Sequence, residues 1–138
     1  AFLSMGAGQR ITSAKIAESV KTNPAYIRQL MAALKSAGII SSSQGQANAG
    51  LTRNPDEITV LDVYRAIEGN KPLLHWDIDT NPECGVGIYV QLSIADFYQE
   101  IQKAAEQKMQ TITLQNIIVR YGQKLDELEQ KSGRGFSP

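Results

Sequence analysis

The dipeptide Asn23-Pro24 constrains this chain more than any other feature. Asn accepts hydrogen bonds from the first free amides of a helix. Proline at the first helical position loses nothing, because its missing N–H would be unpaired there anyway. A helix therefore starts here, and nothing regular can run through the position from before. Ile27, Leu30, Met31 and Leu34 then recur at i, i+3, i+4 and i+7, one apolar stripe. Gly38 sits where a left-handed backbone closes such a helix. Upstream, Thr12 can cap a short helix over Ser13–Val20 in which Ile16, Ala17 and Val20 share a face, although Lys15 stands at N3 where a capping box would place Glu. Lys21-Thr22 is left as a tight turn between the two helices.

The residues after Gly38 change period. Ile39–Ser43 reads as a strand, Gln44–Gly50 as a polar tip, and Leu51-Thr52 as the returning strand. Thr59 then caps Val60–Glu68 with Asp62 at N3, and Gly69 ends that helix. Residues 70–87 are irregular and hold the single Trp, His and Cys of the chain, Trp76, His75 and Cys84. From Ile88 a helical pattern of about 22 residues makes a rod of ~33 Å, with Ile88, Leu92, Ala95, Tyr98, Ile101, Ala105 and Met109 stepping by three or four. Such a rod is longer than a domain this small needs to cover itself. Thr111 or Thr113 caps a last helix over 114–120 that extends toward Gln130. The predicted fold is mainly α with a small β wing, a winged helix-turn-helix followed by a long helix. Its divisions are 1–69 for the winged helix, 70–87 for a connector, 88–130 for the long helices and 131–138 for a disordered tail.

Charge adds direction to this pattern. The net charge is zero, yet residues 1–55 carry six bases (Arg10, Lys15, Lys21, Arg28, Lys35, Arg53) against one acid, Glu18. Residues 56–138 carry the balancing −5. One end is thus suited to a polyanion. In a helix-turn-helix the second helix enters the major groove of double-stranded DNA. It needs an apolar side to hold it and an opposite side of small or hydrogen-bonding residues. Ala25 allows close approach, Gln29 suits adenine, and Arg28 reaches guanine or phosphate. Asn23, Pro24 and Ala25 open the helix, whose free N-terminal amides can bind a phosphate. Ser13, Lys15 and Tyr26 are candidate backbone anchors.

Enzyme chemistry is not expected. No Ser/His/Asp set, paired catalytic carboxylates or phosphate-cradling glycine loop is present. One cysteine cannot form a disulfide scaffold within the chain. No run approaches the ~18 apolar residues of a membrane span, and no basic signal sequence opens the chain. The expectation is a cytoplasmic protein with no membrane partner.

Taken together, these segments resemble the Rrf2 family of bacterial transcription regulators. The resemblance runs from about Ile11 to Ile117. Its strongest motif is Glu57-Ile58-Thr59-Val60-Leu61-Asp62-Val63-Tyr64-Arg65-Ala66-Ile67-Glu68-Gly69, similar to the family's helix after the wing. Ser13–Glu18 and Thr22-Asn23-Pro24 with Ile27-Arg28 resemble its helix-turn-helix, and Asn81–Gly87 resembles the loop before its dimerisation helix. The resemblance implies a homodimer on a partly palindromic operator, acting as a repressor. It implies a dimer interface along the long helix, at Ile88, Leu92, Ala95, Tyr98, Ile101 and Ala105. It also implies an initial helix of which Ala1–Gly6 would be only the end, so residues preceding Ala1 are expected.

The chain departs from the family pattern in three places. Many members hold an iron–sulfur cluster with three cysteines in the loop before the long helix, whereas this chain has Cys84 alone, so no cofactor is expected. Its wing tip carries no base, so wing contacts fall to Gln44, Gln46, Asn48 and backbone amides, with Arg53 compensating. Lys15 replaces the usual acid at N3. Cys84 remains a candidate oxidant sensor, since a thiol at a helix start is activated. Trp76, His75, Tyr89 and Phe97 are candidates to line a small-molecule effector pocket. The competing function is an adaptor whose winged helix contacts proteins, such as a metabolic enzyme. The base-free wing favours that alternative.

Overall fold

The computed structural model describes residues 13–41, 50–74, 83 and 85–133. Five helices and one two-stranded sheet follow in order: α1 (Ser13–Ser19), α2 (Pro24–Ser36), β1 (Ile40–Ser41), β2 (Gly50–Leu51), α3 (Val60–Glu68), α4 (Gly85–Thr111) and α5 (Leu114–Gly133). The predicted class, mainly helical with a small wing, is the observed one.

Local chemistry sets most boundaries. α1 ends through two hydrogen bonds, Thr22 N–H to the Ala17 carbonyl (2.9 Å) and Lys21 N–H to that of Glu18 (3.3 Å). This is the Schellman closure, and it puts Lys21 at φ 52°, a left-handed backbone that usually takes glycine. Because α1 stops at Ser19, Val20 leaves the helical register and is exposed, while Ala17 is buried and Ile16 half-buried. Asn23 caps α2 as its sequence requires: its Oδ1 accepts the Ala25 N–H at 2.8 Å. The same closure recurs after α2, from Ile39 N–H to Leu34 and from Gly38 N–H to Lys35, with Gly38 at φ 73°. This turn delivers Ile39 and Ile40 directly into the core.

Of the predicted wing, the described strands are β1 and β2, and residues 42–49 lie outside the described residues. Ile40 pairs with Leu51 and Ser41 with Gly50, antiparallel. Thr52 prolongs the ladder by hydrogen bonding rather than as strand: its N–H donates to the Ile39 carbonyl at 3.1 Å, and its hydroxyl donates to the nearer Gly38 carbonyl.

α3 starts with a full capping box. Thr59 N–H donates to Asp62 Oδ2 at 2.9 Å, and Asp62 N–H donates to Thr59 Oγ1 at 3.1 Å. Thr59→Ala removes one arm of this box and leaves an amide without its partner. It should lower unfolding free energy by about 1 kcal/mol, read as a shifted midpoint at unchanged slope in urea.

The core gathers Ile39, Ile40 and Ile58, with Met31, Leu34, Leu51, Val63, Ala66 and Leu114 packed against them. Every fully buried apolar residue among those described belongs to the α1–α3 body. α4 and α5 contribute none. They are attached instead by a backbone seam. Val60 N–H donates to the Ile112 carbonyl and Leu114 N–H to that of Ile58, both at 2.8 Å, and Gln115 N–H to that of Pro55 at 3.0 Å. Thr113, not Thr111, caps α5, in a reciprocal exchange with Asn116. α5 runs on through Gly133, taking in the first three residues of the predicted tail, and residues 134–138 lie outside those described. α4 likewise begins at Gly85, three residues before the predicted start at Ile88. No helix among the described residues is long and apolar enough to cross a membrane.

Candidate nucleic-acid interface

α2 shows the division of faces that a reading helix needs. Ile27 is buried and Leu30, Met31 and Leu34 are half-buried, while Pro24, Ala25, Tyr26, Arg28 and Gln29 are all exposed. The reason is the 3.6-residue period: Ala25, Tyr26, Arg28 and Gln29 fall opposite the stripe that anchors the helix to α1 and the core. Tyr26 keeps 51% of its surface open, unusual for an aromatic residue with no binding duty. Lys15, Lys21, Arg28 and Lys35 are exposed on the two helices, against the single acid Glu18. Asn23 is also exposed, but its amide oxygen is committed to the cap. Only its NH₂ group is left for a ligand.

Arg53 sits at the foot of the wing. Its guanidinium lies 4.0 Å from Asp62 Oδ2, with both side chains about two-fifths open to solvent. An exposed ion pair of this kind is worth ~0–1 kcal/mol, so a phosphate can replace Asp62 as the partner of Arg53 at little cost. The backbone of Ser13 begins α1. The wing-tip residues Gln44, Gln46 and Asn48 lie outside the described residues, as do His75, Trp76 and Cys84.

The long helix presents two apolar faces rather than one. Gln91, Ala95, Tyr98, Gln102, Ala105, Glu106 and Met109 form a half-buried face. Ala95, Tyr98 and Gln102 line a 270 Å³ cleft with Pro72 and Leu74, so this face turns toward its own chain. Three residues of the predicted dimer row, Ala95, Tyr98 and Ala105, therefore stand on the inward side. The outward row is Val86, Val90, Ile94, Phe97 and Ile101, all exposed, with Tyr89 beside it. Ile88 and Leu92 are exposed as well, but the helical period puts them beyond the half-buried face and away from this row. Only Ile101 of the predicted row lies in the centre of the outward face. Periodicity finds both rows, and only a partner for one of them separates them.

The comparisons with known proteins agree with this geometry. A sequence model of the Rrf2 family, described as an iron-dependent transcriptional regulator, matches residues 1–120. YwnA of Bacillus subtilis, named as an HTH-type transcriptional regulator, is 32% identical over 110 residues, covering 80% of this chain and 83% of that protein. A crystallised protein described as DNA-binding superposes with a TM-score of 0.67 at 30% identity, over 85% of this chain and 92% of its own. IscR of T. potens superposes with a TM-score of 0.60 at 25% identity, over 87% and 77% of the two chains.

The family description names iron, and the donor set of this chain does not fit a cluster site. A cluster takes four protein ligands, chiefly cysteine thiolates. These 138 residues hold one cysteine and one histidine. Among the described residues no group of three or more His, Cys, Asp or Glu side chains converges. The family and its named relative are transcriptional regulators rather than enzymes. With the family model matching residues 1–120 and a relative 32% identical over 80% of its length, the chain belongs to the Rrf2 family of DNA-binding transcriptional regulators.

Proposed function

We propose that the protein acts as a homodimer that sets two copies of α2 into successive major grooves of a partly palindromic operator, and that it represses transcription by occupying that site. The observation that carries this reading is the first half of α2. Ile27 is buried beneath it while Ala25, Tyr26, Arg28 and Gln29 face outward from one short patch. No other surface among the described residues combines a helix N-terminus, small and bidentate side chains and surrounding bases. The dimer is supported by the outward apolar row of α4, which its own chain leaves uncovered. In a two-fold dimer, both reading helices reach one face of the duplex with half-sites ~34–36 Å apart.

Selection of bound duplexes from a random pool, followed by fluorescence anisotropy, tests the reading. Arg28→Ala should weaken binding to the selected operator by ~1–3 kcal/mol, about 5- to 150-fold, and relax preference at one base pair per half-site. Lys15→Ala should weaken all duplexes alike and flatten the salt dependence by about one unit of slope. If Arg28→Ala and Gln29→Ala both leave operator affinity unchanged, α2 is not the reading helix.

A further inference from the structure

The side chain of Gln102, near the middle of α4, joins three parts of the chain that are distant in sequence. Its Oε1 accepts the Leu73 N–H at 2.8 Å. Its Nε2 donates to the Tyr64 hydroxyl on α3 at 3.2 Å. That hydroxyl in turn donates to the Lys71 carbonyl at 2.7 Å. The order of donors is forced. Leu73 N–H can only donate, so it takes the amide oxygen, and Lys71 C=O can only accept, so it takes the single hydroxyl proton of Tyr64. Tyr64 then has only lone pairs to offer the amide nitrogen. Each of the three polar groups has a defined role, and a flipped amide would break two of the three bonds. Tyr64 and Gln102 are both half-buried, so the bond between them is partly shielded from water, while the bonds to Lys71 and Leu73 are exposed. One turn further along α4, Glu106 lies 3.7 Å from Arg65 of α3.

We propose that Gln102 and Tyr64 are positioning residues that fix the angle between the winged-helix body and α4, and thereby the half-site spacing the regulator accepts. The proposal rests on the homodimer reading above, in which α4 lies at the two-fold axis. The core contributes little at this junction, since neither α4 nor α5 has a fully buried residue among those described and the half-buried Leu114 of α5 packs only at its margin. The seam at Ile112–Gln115 ties the far end of α4 to the body but leaves rotation about that seam open. The Gln102 clasp lies more than two helical turns away from the seam and closes that freedom. The sensitivity is large. With an arm of ~20 Å, well within the ~30 Å width of a small domain, a tilt of about 10° moves the reading helix by ~3.5 Å, close to one base-pair step.

The test uses the full chain and its selected operator, with the spacer between half-sites lengthened or shortened by one and two base pairs, and a duplex carrying a single half-site. Gln102→Met keeps the length of the side chain and removes both hydrogen bonds, while Tyr64→Phe removes only the hydroxyl. The unsubstituted protein should prefer its own spacing by ~10-fold or more, and each variant should compress that preference to about 3-fold. Affinity for the single half-site and the dimeric mass should stay unchanged. The double variant should add little to either single one, because the Gln102–Tyr64 bond that links α4 to α3 is already lost in each. A spacing profile identical to that of the unsubstituted protein in both variants overturns the proposal, as does a uniform loss that includes the single half-site. A one-chain mass for the unsubstituted protein at binding concentrations overturns the homodimer reading itself. A dimeric mass with unchanged profiles overturns the clasp alone.

Discussion

Phe97→Glu is expected to convert the protein to single chains in solution and to lower its affinity for a two-half-site operator by 100-fold or more. Phe97 is 62% exposed and central to the row Val86, Val90, Ile94, Phe97 and Ile101. In a two-fold interface each residue occurs twice, so one substitution removes two aromatic contacts. Burying a large apolar side chain contributes ~1.5–3 kcal/mol, which puts the lost association energy at about 3–6 kcal/mol before any cost of the two introduced carboxylates. Sedimentation velocity and anisotropy on the same samples read mass and affinity together. The thermal unfolding of the α1–α3 body should hardly move, because Phe97 packs on nothing there. A Phe97→Glu protein that remains dimeric would place the interface elsewhere and remove the role assigned to this face of α4.

Ile58→Ala should produce the largest loss of stability available from one apolar truncation. Ile58 is the only large side chain with no solvent exposure among those described. It sits at the meeting point of the wing strand, α2, α3 and the start of α5, beside Ile39, Ile40 and Leu114. Removing its branch leaves a void between elements that are tied by their own backbone bonds and cannot collapse into it. The expected loss is ~2–5 kcal/mol. It should appear as a lower urea midpoint at nearly unchanged slope. The effect should reach α5, because the Ile58 carbonyl also accepts the Leu114 N–H at 2.8 Å. Faster amide exchange at Leu114 and Gln115 in the variant would report that coupling. A loss below 1 kcal/mol would show that the junction repacks and is not the centre of the core.

Much of this architecture was legible because its signals are short-range. The start and end of α2 come from Asn23-Pro24 and Gly38, and the start of α3 from Thr59 and Asp62, each acting over a few residues of chain. The exposure of Ala25, Tyr26, Arg28 and Gln29 follows from the position of Ile27 and Leu30 on the same helix. Other features depended on distant partners. Past Leu51 the wing is held by Thr52, whose N–H reaches the Ile39 carbonyl and whose hydroxyl reaches that of Gly38. Thr113, rather than Thr111, became the cap of α5 because residues 112–115 pair with residues 55–60. Lys21 takes a left-handed turn that its residue type does not announce, held by hydrogen bonds back into α1.

The sequence by itself determined where α2 and α3 begin, which face of α2 is open, and that the basic residues gather at one end, since each is settled by neighbours within one or two turns. Which side of α4 meets its own chain was decided only by the tertiary structure. That helix is apolar around most of its circumference, so its period is compatible with more than one orientation. The inward side contains Gln91, Gln102 and Glu106, which look like solvent-facing residues until Leu73, Tyr64 and Arg65 are brought beside it. A polar side chain turns inward when a distant part of the chain supplies its hydrogen-bond or charge partner, and no pattern along α4 can show that the partner will be there.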